Sequence, residues 1–224
     1  MTDYGLELRN NANIVLIDST YKNHSYLQSG TTFVDRYLTH VSVNPVSTSP
    51  LFFINAPVML AYNYGIQKNG SDYDEIVIAA DSTGYVSWIL YQEGHTQPLP
   101  DFGMIVYNLS SEVIFQSAES GYVNVSNERS YGSSGNVSVQ DAVNNYFVIT
   151  GGENRYTYSY SGGYRTETRF MSGFKYVDPT TVNINDFAYF SKTIFTGESG
   201  AGSGASGSAS SPQQLIELSP PLGF

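Results

Sequence analysis

The side chains that could bind a metal or act as a catalytic base are few in this sequence. Its three histidines, His24, His40 and His95, show no paired or His-Glu-x-x-His spacing, and no cysteine is present to complete a zinc site. The acidic stretch 72–75 offers oxygens of the kind that calcium prefers, but it does not match an EF-hand loop. We predict no metal and no cofactor. We interpret the histidines as surface or loop residues and residues 72–75 as a solvated turn, with calcium binding there left open.

Sequence motifs of enzyme active sites are also missing. The chain has no Gly-x-Ser-x-Gly nucleophile elbow, no phosphate-binding Gly-x-x-x-x-Gly-Lys loop and no Rossmann glycine fingerprint. Glycoside hydrolysis needs only two carboxylates at a suitable separation, which a sequence with 20 acidic residues does not reveal. We predict that the protein is not an enzyme and keep glycan cleavage as an alternative.

Charge and hydropathy argue against two further classes of protein. Ten basic against 20 acidic residues, a formal net charge of −10, cannot neutralise a nucleic-acid backbone. The N-terminus lacks the basic and apolar regions of a signal peptide, and Asn55 and Pro57 interrupt the most apolar stretch, 51–61. We predict no nucleic-acid partner, no signal peptide and no membrane insertion.

Two similar segments, 98 residues apart, begin the two halves of the chain. Residues 3–19 and 101–117 share five identical positions, and each segment reads as strand, polar turn, strand. The 19 tyrosines, 12 phenylalanines and 21 glycines favour strands and turns over helices. We predict an all-β fold class with two tandem, duplicated β-sandwich-like domains, 1–97 and 98–196, divided near Pro98 and Pro100.

Residues 156–170 contain the clearest local pattern. Aromatic and polar residues alternate on both sides of a Ser-Gly-Gly turn at 161–163, which predicts a β-hairpin. Exposed tyrosines could stack on sugar rings, so a host surface glycan is one candidate partner. We favour the interpretation that they form cross-strand pairs within the sheet.

The C-terminal region differs in composition from the rest of the chain. Residues 197–211 are mostly Gly, Ser and Ala, which predicts a flexible linker. Residues 212–224 are apolar again, and we expect this tail to enter grooves on a neighbouring subunit. Removing it should then leave the isolated chain folded but weaken its assembly. The expected partner-binding residues are Leu215, Ile216, Leu218, Pro220, Pro221, Leu222 and Phe224.

The repeated segments resemble virion proteins of tailed bacteriophages. The resemblance rests on YGLELRN at 4–10 followed by IVLIDS at 14–19, and on FGMIVYN at 102–108 followed by VIFQS at 113–117. It implies a structural protein of the virion, in the tail tip or tail-fibre region, that acts in assembly and host attachment and has no catalytic residues. Other virion proteins and further copies of the chain are the implied partners, and synthesis in the host cytoplasm is implied. A carbohydrate-binding adhesin is the alternative.

Overall fold

The computed structural model describes residues 7–9, 15–18, 24–94, 104–108, 110–116, 124–131, 134–150, 155–197, 202–207 and 213–220. Within these residues every regular element is a strand and all pairing is antiparallel. The predicted all-β, sandwich-like fold class is therefore confirmed.

The strands are numbered in chain order. They are β1 Glu7–Arg9, β2 Val15–Asp18, β3 His24–Val34, β4 Tyr37–Val46, β5 Leu51–Asn55, β6 Ala61–Asn69, β7 Asp72–Ala80, β8 Gly84–Glu93, β9 Ile105–Tyr107, β10 Val113–Gln116, β11 Asn124–Tyr131, β12 Gly135–Ser138, β13 Tyr146–Thr150, β14 Arg155–Ser161, β15 Tyr164–Asp178, β16 Thr181–Phe195, β17 Gly202–Gly207 and β18 Gln213–Ser219.

Two sheets form the body of the molecule. The first has the order β11-β18-β13-β5-β8-β3, and the second has the order β12-β16-β15-β6-β7-β4, with β14 paired to β15 and β17 paired to β14. Inward-facing apolar residues of both sheets form one core, which includes Ile54, Leu90 and Phe147 from the first sheet and Ile78 and Phe174 from the second. This face-to-face packing of two antiparallel sheets is a β-sandwich.

The repeated segments form two hairpins with the same register. Adding 98 to every number converts the pairs of the first hairpin into those of the second, including a skipped residue, Leu16 in one and Ile114 in the other. The pairs Glu7–Asp18, Leu8–Ile17 and Arg9–Val15 become Ile105–Gln116, Val106–Phe115 and Tyr107–Val113. The prediction of two equivalent hairpins is confirmed at the level of strand pairing.

The two sheets carry the duplication further. In the first sheet, β3, β8 and β5 of one half mirror β11, β18 and β13 of the other, and in the second sheet β4, β7 and β6 mirror β12, β16 and β15. Even a bulge is repeated, between Tyr26 and Gln28 of β3 and between Val125 and Asn127 of β11. The halves meet at antiparallel contacts of β5 with β13 and of β6 with β15. The body is therefore an internal pseudo-two-fold duplication.

The boundaries expected for the second half need correction. Strand β18 lies between β11 and β13 and is the counterpart of β8, so the second half includes β18 and does not end at residue 196. Residues 202–207, expected in a flexible linker, form β17 and pair with β14 from Arg155–Gly207 to Tyr160–Gly202. The two halves also share continuous sheets, so they are joined by backbone hydrogen bonds as well as by sequence.

Candidate functional site

The expected docking tail is part of the chain's own body. Strand β18 lies between β11 and β13, with Leu215 and Leu218 buried and Ile216 half-buried. Pro220 is half-buried directly after the strand, and Pro221, Leu222 and Phe224 lie outside the described residues. The prediction that Leu215, Ile216 and Leu218 enter a neighbouring subunit is wrong for this structure, because the strand that contains them is paired on both sides, with β11 and β13 of its own chain.

A buried carboxylate fixes β18 between β11 and β13. Glu217 is 1% exposed and accepts hydrogen bonds from the backbone N–H groups of Gln140 and Asp141, each at 2.9 Å. The side-chain amide of Asn145 donates a third, to Glu217 Oε1 at 2.7 Å. Glu217 occupies the position that Leu90 holds in the first half, since both lie opposite a buried phenylalanine in the neighbouring strand. Two equivalent sites of the first sheet therefore differ, since one holds a core leucine and the other a buried carboxylate.

The same network joins the two halves. The Asn55 side-chain amide in β5 donates to the carbonyls of Ala142, Val143 and Asn145, the last at 2.6 Å. Asn145 in turn donates to Glu217. Residues 139–145, β5 and β18 are therefore connected through buried hydrogen bonds, which fix the relative position of strands from both halves.

The histidines occupy separate places. His24 begins β3, and its burial lowers the pKa of the imidazole, while the nearby Glu93 acts in the opposite direction. His40 Nδ1 lies 2.7 Å from Glu75 Oε1 on the exposed surface of the second sheet. His95 lies outside the described residues. The two that are described lie on different strands of different sheets.

The acidic stretch 72–75 is the first part of strand β7, directly after the two-residue turn 70–71 that follows β6, so its interpretation as a turn is wrong. Its carboxylates already have partners, since Asp74 accepts from the Asn69 amide at 3.2 Å and Asp72 from the Ser71 hydroxyl at 3.1 Å. Glu75 pairs with His40. A cavity of about 420 Å³ adjoins Asp74 and Glu75. Across the part of the chain that the structure describes, no group of three or more His, Asp or Glu residues is placed to hold a metal ion.

The most prominent surface feature is a four-stranded extension of the second sheet, which we call the arm. It consists of β14, residues 164–169 of β15, residues 190–195 of β16, and β17, in the order β17-β14-β15-β16. The predicted hairpin at 156–170 is confirmed as its centre. Gly162 and Gly163 have φ values of 58° and 82°, which the two-residue turn requires and which glycine adopts without strain.

The two faces of the arm differ in chemistry. One face carries hydroxyl groups in a cross-strand ladder, with Thr166 and Thr193 linked at 2.9 Å. The other face carries aromatic rings and cations, where Arg165 Cζ lies 5.4 Å from the centre of the Tyr158 ring and Tyr158 lies 5.8 Å from Tyr160. Arg169 Nε donates to Glu167 Oε1 at 2.9 Å. The Arg165 guanidinium group therefore lies over an aromatic ring on this face, as cation–π packing favours.

The arm is the basic part of an acidic chain. Residues 155–169, 190–195 and 202–207 include four cations and one carboxylate, a balance of +3. Because the whole chain has a formal charge of −10, the remaining residues carry −13. A contact between the arm and an acidic surface would thus be electrostatically favourable.

The end of the arm exposes large apolar side chains, and we call these residues the tip. Phe195 is 70% exposed, Tyr164 51% and Ile194 42%. The Phe195 and Tyr164 rings pack edge to face with centres 5.1 Å apart. Backbone hydrogen bonds from Thr196 and Gly197 to the Gly163 carbonyl tie β16 to the turn. Strand alternation puts Tyr164 and Phe195 on the face with the hydroxyl groups and Ile194 on the opposite face, so the tip exposes apolar side chains on both faces of the arm.

A second exposed apolar cluster, the Phe33 patch, lies on the body. It contains Phe33 and Tyr85, each more than half exposed, with their rings 5.3 Å apart. Exposed apolar clusters of this kind mark interaction surfaces more often than isolated apolar residues do.

Sequence reasoning found the central hairpin of the arm but missed its outer strand and the Glu217 network. The only sequence signal for Glu217 is a carboxylate that interrupts the apolar run 215–218. The glycine- and serine-rich composition of residues 202–207 carries no signal for a strand.

The chain was compared with known protein families, curated proteins and solved structures. No protein-family model, no curated protein and no solved structure matches it. In the described residues, no helix is long and apolar enough to span a membrane.

Proposed function

We propose that this protein is a structural component of a bacteriophage virion, in the tail tip or tail-fibre region, that acts in assembly and in host attachment. The repeated hairpin motif supports the proposal because it resembles virion proteins of tailed phages. Partners are other virion proteins and further copies of the chain. The protein is not proposed to be an enzyme.

The arm is the structural feature that best supports a role in assembly. It exposes aromatic residues at its tip, and tyrosine, arginine and phenylalanine are residue types that concentrate binding energy in protein interfaces. Within the described residues β17 pairs only with β14, so its other edge is open to a further strand. Both features suit contact with a neighbouring subunit.

The proposal is tested by purifying phage particles from cells that express the chain and detecting it with a specific antibody. We expect the chain in particles that resist high-salt washing, located at the tail by immuno-electron microscopy. The double variant Tyr164→Ser with Phe195→Ser should be incorporated less, and Val143→Ser, an exposed apolar residue outside the arm, should be incorporated normally. Particles without the chain would refute the proposal.

Saccharide binding is the second candidate function, and the aromatic and cationic face of the arm favours it. Tyr158, Tyr160 and Arg165 lie together there, and an arginine that stacks on a tyrosine can still donate hydrogen bonds to an anionic sugar. A glycan array with purified protein tests this directly. Binding that is lost in Arg165→Ala would favour an adhesin, and release of oligosaccharides from host polysaccharide would favour the glycan-cleaving alternative.

A further inference from the structure

The face of the arm that carries aromatic rings and cations has a regular layout, and we call it the cationic face. Alternate residues of a strand share a face, so the strand pairing sets its residues in rows across β17, β14, β15 and β16. The two rows nearest the 162–163 turn are Gly202-Tyr160-Arg165-Ile194 and Gly204-Tyr158-Glu167-Lys192. Tyr164 and Phe195 lie on the opposite face.

Two cations of the cationic face are not neutralised by a carboxylate. Glu167, the single carboxylate of the two rows, accepts a hydrogen bond from Arg169 Nε at 2.9 Å. Within the described part of the chain, neither Arg165 nor Lys192 forms an ion pair. The two are diagonal neighbours on adjacent strands, about 7–8 Å apart along the backbone. Two positive charges this close together favour an anionic ligand.

The Arg165 side chain is held against an aromatic ring. Its Cζ atom lies 5.4 Å from the centre of the Tyr158 ring, and its Nε is covered and has no hydrogen-bond partner among the described residues. A guanidinium group that is already positioned loses little conformational entropy when it binds a ligand, and its planar fork of N–H groups fits a carboxylate. Arg165 is therefore prepared to bind an acid group beside the tyrosines.

On their other side, the two tyrosines border bare backbone. Tyr160 pairs with Gly202 of β17, and Tyr158 pairs with Gly204. Because glycine has no side chain, these two rows place nothing but backbone next to the rings on the β17 side. An extended ligand that runs along β14 therefore meets no side chain of β17 in these rows.

We propose that the cationic face binds an acidic polysaccharide along β14. The sugar rings lie against Tyr158 and Tyr160, beside the glycines of β17. An acid group of the polysaccharide accepts hydrogen bonds from Arg165, and Lys192 adds electrostatic attraction. This inference rests on saccharide binding, the second candidate function above, and names the class of saccharide and the charges that select it.

The chemistry of the face suits a saccharide better than an acidic protein surface. A sugar ring has apolar C–H groups on its face and polar groups on its edge, so it matches an aromatic ring that lies beside hydrogen-bond donors. The centre of a stable protein interface is apolar and its rim is polar. The two rows contain a single aliphatic side chain, Ile194, and it lies on β16 at the outer side of the arm.

The experiment titrates the full chain with three kinds of probe and measures binding by calorimetry. The acidic polysaccharides are polygalacturonate, alginate, hyaluronan and polysialic acid, dextran supplies sugar rings without charge, and polyglutamate supplies carboxylates without sugar rings. We expect at least one acidic polysaccharide to bind, with a dissociation constant about tenfold or more below those of dextran and polyglutamate. No binding of any of the four below about 1 mM would overturn the proposal. Equal affinity for polyglutamate would also overturn it, because the face would then recognise acidic chains in general.

Substitutions locate the binding on the cationic face. We expect Arg165→Met and Tyr160→Ser each to raise the dissociation constant about tenfold or more. Lys192→Met removes a fully exposed charge without disturbing the fold, and it should raise the dissociation constant by a smaller factor. Arg36→Met is the matched control, since Arg36 is exposed and lies over the Tyr37 ring at 4.9 Å, outside the arm. Circular dichroism confirms that each variant is folded, and equal losses in the control and in Lys192→Met would overturn the assigned site.

The outcomes for this inference and for the proposed functions are read separately. If the glycan array shows binding of neutral glycans that Arg165→Met leaves unchanged, saccharide binding stands and the acidic class is wrong. If particles contain the chain but the four polysaccharides do not bind, the virion role stands and this inference is wrong. If the chain is absent from particles but binds an acidic polysaccharide through Arg165, this inference stands and the virion role is wrong.

Discussion

Removing the Glu217 carboxylate should destabilise the whole sandwich, because this side chain anchors a central strand. It accepts hydrogen bonds from two backbone N–H groups and one side-chain amide, all at 2.7 to 2.9 Å, while 1% exposed. A hydrogen bond to a charged group contributes about 1.5–3 kcal/mol to stability, and a buried donor left without an acceptor costs about 1–3 kcal/mol. Glu217→Gln turns one acceptor oxygen into a donor that faces other donors. We expect it to cost about 2–3 kcal/mol.

Glu217→Leu tests the same reasoning more strongly. It installs the residue type that the equivalent position of the first half carries, Leu90, and so restores apolar packing at that position. It also removes the Glu217 acceptor of the Gln140, Asp141 and Asn145 donors, of which the Asn145 amide is buried and the two backbone N–H groups are partly buried. We expect a loss of about 3–5 kcal/mol, within the range for removing one partner of a buried polar pair.

The assay is urea unfolding followed by the fluorescence of Trp88, the single tryptophan, which lies in the core at 6% exposure. Glu128→Gln is the matched control, since Glu128 is an exposed carboxylate on the neighbouring strand β11 and should change stability by less than about 0.5 kcal/mol. The reasoning is refuted if Glu217→Leu is as stable as the wild type, since apolar packing would then offset the lost hydrogen bonds.

Three further predictions concern the strands and their packing. A chain that ends at Ser211 lacks β18. We expect it to lose cooperative unfolding, because β11 and β13 then have no strand between them. A sharp unfolding transition in this truncated chain would contradict the assigned topology. Gly30→Ala places a Cβ 2.7 Å from the Trp88 ring, so we expect the free energy of unfolding to fall by about 1–3 kcal/mol and the fluorescence spectrum to change. An unchanged stability would show that the ring moves freely. For His24, burial lowers the folded-state pKa below 6.5, so its contribution to stability is complete above pH 6.5 and is lost as the pH falls towards the folded-state value. In urea unfolding between about pH 8 and about pH 5, His24→Gln should therefore gain stability relative to the wild type as the pH falls, and a constant difference would argue against this cause.

Local patterns determined the features that the sequence predicted well. The alternation in residues 156–170 and the two glycines at the turn specify a hairpin, because both act between residues close in the chain. The 98-residue repeat predicted two equivalent hairpins, and their registers agree pair by pair. In each case the partner strand follows immediately in sequence, so pattern and proximity favour the same pairing.

Turn chemistry alone was less informative. Residues 81–84 (Asp-Ser-Thr-Gly) have the composition of a hairpin turn, but the strands before and after them, β7 and β8, belong to different sheets. The same turn residues suit a tight hairpin and an arch between sheets, because they specify how the backbone bends and not what it pairs with afterwards.

Only the tertiary structure decided where the C-terminal residues belong. An apolar segment after a glycine- and serine-rich stretch has a strong tendency to be buried, and period-two alternation indicates which side chains share a face, but neither specifies the neighbouring strand. β18 has β11 and β13 as neighbours for two reasons. The gap between those two strands forms only when both halves pair, and Gln140, Asp141 and Asn145 donate hydrogen bonds to Glu217 there. The hydrogen bonds to Glu217 span more than 70 residues of sequence. The sequence by itself therefore determined that the apolar residues of this segment tend to be buried, and the fold decided that Leu215 and Leu218 are buried in their own chain.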